Sequence, residues 1–243
     1  MLGNKNLLNV RSEWEYLYIR AGRQLMFELR YFGNWLRHGH LVRQRAIADY
    51  WSHHPVRRIH LGAGGPVDEL PGFLNSRIHG AVPIDITKRL PFPDSSISTL
   101  FSSHLVEHIH RRAFDYFLRE VHRVLAPGGI QILSIPSIHA YAEALYGREA
   151  TDENRRLFQR RYAHLCGDDF FTPCHMINYA FQENGHHFLY DEFYMEEMAK
   201  KIGFAELRLV APTELPDPEV RQLLTRHKDK RWHLESQTFV WTR

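Results

Sequence analysis

The chain has 243 residues, enough for one substantial α/β domain with additions. Hydrophobic residues make up 44% and charged ones 24%, which excludes a disordered or fibrous chain. A net charge of +3 is too mild to point to nucleic acid, two cysteines cannot build a disulfide framework, and no apolar run reaches the roughly 20 residues that cross a bilayer.

The first residues, broken by Asn4, Lys5 and Asn6, lack a signal-peptide core, and a reducing, cytoplasmic setting is expected. From Ser12 to Leu36 the residues Trp14, Leu17, Tyr18, Ala21, Leu25, Leu29, Phe32 and Leu36 mark one side of a long helix. Ser12 with Glu15 reads as its capping box. The other side carries Arg20, Arg23, Arg30 and Arg37. Basic amphipathic helices of this kind can lie on anionic membranes, although packing on the helix's own domain or on a second subunit is the commoner use. A second helix is expected around Val42 to Trp51, carrying the chain to Pro55. Residues 1–55 thus read as an N-terminal helical extension and 56–243 as the main domain.

The main domain opens on an apolar segment, Val56, Ile59 and Leu61, that runs into His60-Leu61-Gly62-Ala63-Gly64-Gly65. This is a buried strand turning sharply so that bare backbone can lie against a ligand. Leu90-Pro91-Phe92-Pro93-Asp94 then leads to the apolar strand Ile97 to Phe101, which ends in Ser102-Ser103-His104-Leu105-Val106-Glu107-His108. Phe114, Phe117, Leu118, Val121, Val124 and Leu125 follow at helical spacing, with Glu107 and His108 expected to begin that helix. Pro127-Gly128-Gly129 stops it, and Ile130 to Ile135 reads as a further buried strand.

This order of glycine turn, acidic loop, strand, helix, proline-glycine-glycine and strand resembles the class I S-adenosylmethionine-dependent methyltransferases. It is most similar to a bacterial subgroup of predicted methyltransferases often associated with glycan and cell-surface polysaccharide biosynthesis. A later Gly185-His186-His187-Phe188-Leu189-Tyr190-Asp191 fits the same subgroup, and the resemblance covers about residues 56 to 211 with a last strand near Ser236 to Trp241. It implies a Rossmann-like, doubly wound, mostly parallel seven-stranded α/β sheet with an antiparallel last strand. It also implies S-adenosyl-L-methionine as cofactor and a small-molecule or sugar acceptor, methylated on oxygen, with no nucleic-acid partner.

Carried over residue by residue, the resemblance implies cofactor contacts at His60, Gly62, Ala63, Gly64, Gly65, Asn75, Ser76, Asp85, Ile86, Ser102 and Ser103. Asp85 would accept from the adenine amino group; the plain alternative is that it caps a loop. One position departs from the pattern. The aspartate that takes both ribose hydroxyls is replaced by Arg77, and a guanidinium can only donate. Ribose capture then falls to Asn75 or Ser76, or is absent, which leaves a cofactor-free homologue serving as a binding or scaffold subunit as the competing reading. Val67 stands where a dinucleotide fingerprint wants its third glycine, which disfavours a nicotinamide oxidoreductase.

His104 is the candidate general base, because histidine titrates near neutrality and this strand end is the expected reaction edge. Residues 143–185 read as an insertion over the site, where Asn178, Tyr179, His186, His187 and Tyr190 are candidate acceptor contacts. His164, Cys166, Cys174 and His175 are competent zinc ligands, but their spacing matches no usual bracket, so no metal is assigned. Met195, Met198 and Ile202 before Gly203 mark a helix with a glycine cap, Leu207 to Ala211 a strand, and prolines 212, 216 and 218 a loop.

Overall fold

The computed structural model describes residues 13–78, 80–147, 156, 172–178, 180–181, 185–226 and 236–243. The chain enters through one helix, α1 (Glu13–His53), where two were expected. Between Leu36 and Val42 it has Gly39 but no proline, and one glycine costs a helix only about 1 kcal/mol, so the helix runs on. The expected cap at Ser12 lies outside the described residues.

The two ends of α1 have different environments. Near its carboxyl end Ala46, Ile47, Tyr50 and Trp51 pack into the main core, so these turns belong to the domain rather than to an appendage. Tyr50 reaches beneath the sheet: its hydroxyl lies 2.9 Å from the Arg58 carbonyl and 2.8 Å from that of Gly72, and accepts from the Arg58 amide at 3.0 Å. Upstream, Trp14, Tyr18, Leu25, Leu29, Phe32 and Leu36 are exposed, while Ile19 is buried.

Six strands form a single sheet among the described residues: β1 (Arg58–Leu61), β2 (Phe73–Ser76), β3 (Ile97–Ser103), β4 (Leu125–Pro136), β5 (Glu206–Leu209) and β6 (Ser236–Thr242). Their order is β2-β1-β3-β4-β6-β5. β1 pairs in parallel with β2 and β3, β3 in parallel with β4, and β6 lies antiparallel between β4 and β5. This is the expected mostly parallel α/β sheet with an antiparallel last strand. The expected seventh strand is not among the described ones. Val82, Pro83, Ile84 and Ile86 are all buried, but Pro83 has no N–H to give a ladder, and the segment joins the core as a loop.

Helix α2 (Arg111–Val124) buries Phe114, Phe117, Leu118, Val121 and Val124 against the sheet, as its spacing requires. A short 3-10 turn, Val106–His108, precedes it, so Glu107 and His108 lie before the helix rather than in its first turn. The Pro127-Gly128-Gly129 stop is an excursion within β4: pairing jumps from Ile97↔Leu125 to Thr99↔Ile130. A side chain on Gly129 would meet the carbonyl oxygens of Ile97 and Ala126 at 2.8 and 2.9 Å, so only glycine fits there.

Beyond β4 come α3 (Ile138–Tyr146), α4 (Pro173–Asn178) and α5 (Glu192–Ile202), the last closed by Gly203 at φ +97° as expected. Where prolines suggested only loop, α6 (Pro218–Arg226) forms. Asp217 caps it by accepting from the amides of Glu219 and Val220, and Pro218 occupies a first-turn position that needs no N–H. Most of the expected 143–185 insertion lies outside the described residues.

Candidate active site at the carboxyl edge of the sheet

A parallel sheet places its strand ends, and the loops that follow them, along one edge. Here β1 ends at Leu61, in register with Ser102 of β3 and Ser76 of β2. The glycine turn, the β2 end and the Ser102-Ser103-His104 segment therefore meet, at the place where crossovers to β2 and β3 diverge.

The turn holds its shape through the backbone. The amides of Gly62 and Ala63 both donate to the Ser76 carbonyl at 2.9 Å. Gly62 has φ +78°, and a Cβ there would press on Leu105 at 3.0 Å, so this glycine is required by the fold itself. Gly65 is different: its backbone is extended and a Cβ would meet nothing within 4 Å. The bare surface open to a ligand is thus at Gly65. The Ser102 hydroxyl is fully buried and makes no hydrogen bond among the described residues.

The remaining expected cofactor contacts divide. Ser76 is buried beside the turn and Ile86 is buried in the core. His60 is 2% exposed, its Nδ1 donating to Asn75 Oδ1 at 3.2 Å, and burial pulls its pKa down to about 4, so the ring is neutral. Asn75 faces the protein: Oδ1 also accepts from the Leu70 amide, and Nδ2 donates to the carbonyls of Leu70 and Phe73. It is a brace for the loop after the turn, which its side chain's expected role at the ribose did not anticipate. Asp85 takes the plain alternative. Its Oδ1 accepts from the Thr87 amide and hydroxyl at 2.9 and 2.6 Å and its Oδ2 pairs with Lys88 at 3.1 Å, which caps a loop. Arg77 pairs with Glu69, a carboxylate that sequence reasoning missed. Glu69 sits eight residues earlier on the loop leaving the glycine turn, so the cation at the β2 end brings an acceptor of its own.

His104 follows β3 with φ +47°, an uncommon conformation for a side chain of this size and of the kind that collects at functional sites. Its amide donates to the Ser134 carbonyl at 2.9 Å, which fixes the backbone. Its ring spans two groups: Nδ1 lies 3.3 Å from Glu107 Oε1 and Nε2 2.9 Å from the Ser236 hydroxyl. Glu107 is completely buried. Burial alone would raise its pKa, but His104 and then His108 outweigh that and hold it below the usual carboxylate range, so it is an anion. Neither Glu107 nor Ser236 was placed at the reaction edge from sequence. The Glu107 part had a signal, since a glutamate three residues after a histidine in a tight turn comes back to face it.

The Gly185-His186-His187-Phe188 segment docks on the same spot, with the amides of His187 and Phe188 donating to the Glu107 carbonyl at 2.7 and 3.5 Å. His186 is buried, with its pKa drawn down to about 4 by burial. Tyr190 is also buried, and its phenol, pushed far up by burial, packs on Phe114 and Phe188 instead of facing an acceptor. His187 is exposed, Asn178 is bonded to the Cys174 carbonyl in α4, and Tyr179 lies outside the described residues. Of the four residues considered for zinc, His164 and Cys166 lie outside the described residues, while His175 bonds Thr172.

Residues 73–133, from β2 through most of β4, match the family described as "Methyltransferase domain". No curated protein matches the chain. Among solved structures the chain is similar to a SAM-dependent methyltransferase from Archaeoglobus fulgidus, at 12% identity over 84% of this chain and 93% of that one, with a TM-score of 0.45. It is similar also to phosphoethanolamine N-methyltransferase 2 of Haemonchus contortus in complex with S-adenosyl-L-methionine, at 13% identity over 84% of this chain and 53% of that one, TM-score 0.45. A third is a possible histamine N-methyltransferase from Thermotoga maritima, at 14% identity over 91% and 95% of the two chains, TM-score 0.42. The strand order of the chain itself defines the fold class, a mostly parallel α/β sheet of the Rossmann-like type.

Proposed function

We propose that the protein is an S-adenosylmethionine-dependent methyltransferase that transfers a methyl group to a hydroxyl of a small-molecule or glycan acceptor. The observation that carries this reading is the meeting of an unfilled glycine surface at Gly65 with the buried Ser102 hydroxyl and the His104 ring on one sheet edge. The methionyl side of the cofactor would lie against that surface, which a side chain at Gly65 would occupy. On the ribose side Asn75 is engaged elsewhere, and Glu69, held by Arg77, is the carboxylate present. When bound, the cofactor supplies an electrophilic methyl group on a sulfonium.

The chain's own contribution is position and a place for the proton. Holding two reactants in line supplies most of the acceleration in a direct displacement. His104 Nε2 already meets one hydroxyl, that of Ser236, at hydrogen-bonding distance, and an acceptor hydroxyl in the same place would deliver its proton to that nitrogen. Glu107 Oε1, 3.3 Å from Nδ1, holds the ring in place. His104→Gln is expected to lower kcat by about 100-fold or more while leaving the affinity for S-adenosylhomocysteine within about twofold.

A second reading is favoured by one specific observation, the Arg77 substitution with Asn75 and Asp85 both turned to structural partners. Under it the chain is a cofactor-free homologue acting as a binding or scaffold subunit. Calorimetric titration with S-adenosylhomocysteine separates the two. Micromolar binding supports the transferase, and no heat at millimolar ligand supports the scaffold.

A further inference from the structure

Glu107 is a fully buried carboxylate without the hydrogen bonds that such a group ordinarily collects. Its carboxylate is fully enclosed, and neither oxygen accepts a hydrogen bond among the described residues; His104 Nδ1, at 3.3 Å, is at ion-pair distance without hydrogen-bond geometry. A buried ionised carboxylate is costly unless it is paired, hydrogen-bonded or bound to a metal. Two further histidines meet it. His108 Nδ1 contacts the Gly185 carbonyl at 3.2 Å and His186 Nδ1 the Ala180 carbonyl at 2.5 Å. A carbonyl can only accept, so Nδ1 carries the hydrogen in both rings and Nε2 carries the lone pair. On His186 that Nε2 faces Glu107 Oε1 at 3.9 Å. One ligand atom from each of Glu107, His108 and His186 falls within 4.8 Å of the other two.

We propose that Glu107, His108 and His186 form a binding site for a divalent transition cation of the zinc type. Two imidazole nitrogens and one carboxylate are a donor set that zinc and its neighbours accept, and three protein ligands leave a position open. The backbone carbonyls behind both rings provide the orienting contacts that metal-bound histidines characteristically have. Tetrahedral zinc wants its ligand atoms roughly 3.3 Å apart, so binding draws the three groups together by side-chain rotation. His186 belongs to the segment already docked on the Glu107 backbone and His108 is exposed at the site's mouth, so closure needs no change in the sheet. The site goes beyond the methyl-transfer reading and stands or falls without it.

The test uses the full chain stripped with chelator and then titrated with Co2+, read by visible absorption, with Zn2+ competition by equilibrium dialysis. The expected result is one equivalent of Co2+ with a low-symmetry, histidine-ligated spectrum displaced by Zn2+. His108→Gln, at an exposed ring, is expected to weaken it by about tenfold or more while melting as the wild type does, and Glu107→Gln to weaken it further. Absence of stoichiometric binding at about 100 µM Co2+, a level well above a specific site's needs, would overturn the assignment. So would binding that His108→Gln leaves unchanged.

Discussion

Gly62 and Gly65, read alike in the sequence, serve different ends, and substitution separates them. Gly62→Ala places a side chain at positive φ against Leu105, and it is expected to cost about 1–3 kcal/mol in a denaturant melt. Gly65→Val enters open space from extended backbone, so its melt should stay within about 0.5 kcal/mol of wild type. The same scale gives a pH dependence. His60 is buried with Asn75 as hydrogen-bond partner, the Asp68 charge nearby and Phe101 against its ring, and burial lowers its pKa from 6.5 to about 4. The unfolded chain therefore binds the proton first on acidification. The contribution is complete above pH 6.5 and is lost as pH falls toward 4, up to about 3 kcal/mol. Comparing the stability profiles of wild type and His60→Gln over that window checks it: the wild-type profile should be steeper by that amount. The glycine turn was legible in the sequence because glycine reports a backbone need. The roles of Asn75 and Asp85 were not, because a polar side chain's partner depends on which backbone groups the fold brings near, here those of Leu70 and Thr87.

Among the elements, α1 and the β4 excursion show what periodicity reads and what it misses. The apolar spacing gave a helix in both halves of α1, but continuity across Gly39 turns on a small propensity cost that pattern alone does not weigh. The last turns of α1 are stapled to the sheet by Tyr50. Tyr50→Phe removes the acceptor for the Arg58 amide and a bond to the strand-end carbonyls, and a loss of about 1–3 kcal/mol is expected by urea titration. Gly129→Ala drives a methyl into two carbonyl oxygens, that of Ile97 on β3 and that of Ala126 earlier on β4 itself, and a similar loss of about 1–3 kcal/mol is expected. The segment from Val82 to Ile86 forms no strand for a reason visible in the letters, Pro83, whereas α6 formed despite its prolines because Pro218 stands at a helix start, where proline costs nothing. The exposed residues from Trp14 to Leu36 match the amphipathic pattern read from the sequence.

At the scale of the whole molecule, strands far apart in sequence assemble an edge that no local window contains. Arg58 of β1 bonds Asp217 at 3.2 Å and Glu219 at 2.7 Å, tying the first strand to α6. Ser236 from the last strand reaches His104 at the end of β3. The ordering of motifs made the sheet legible, since each crossover must return the chain to the same edge. The composition of the site was less so, because Glu69, Ser236 and the Glu107–His186 pairing depend on long-range closure. The central claim, that the surface at Gly65 receives a methyl donor, is tested most directly by paired calorimetric titrations of wild type and Gly65→Val with S-adenosylhomocysteine. Micromolar affinity in the wild type, weakened by about tenfold or more in a variant that melts normally, is the expected result. Equal affinities in the two proteins, or no binding by either, would contradict it.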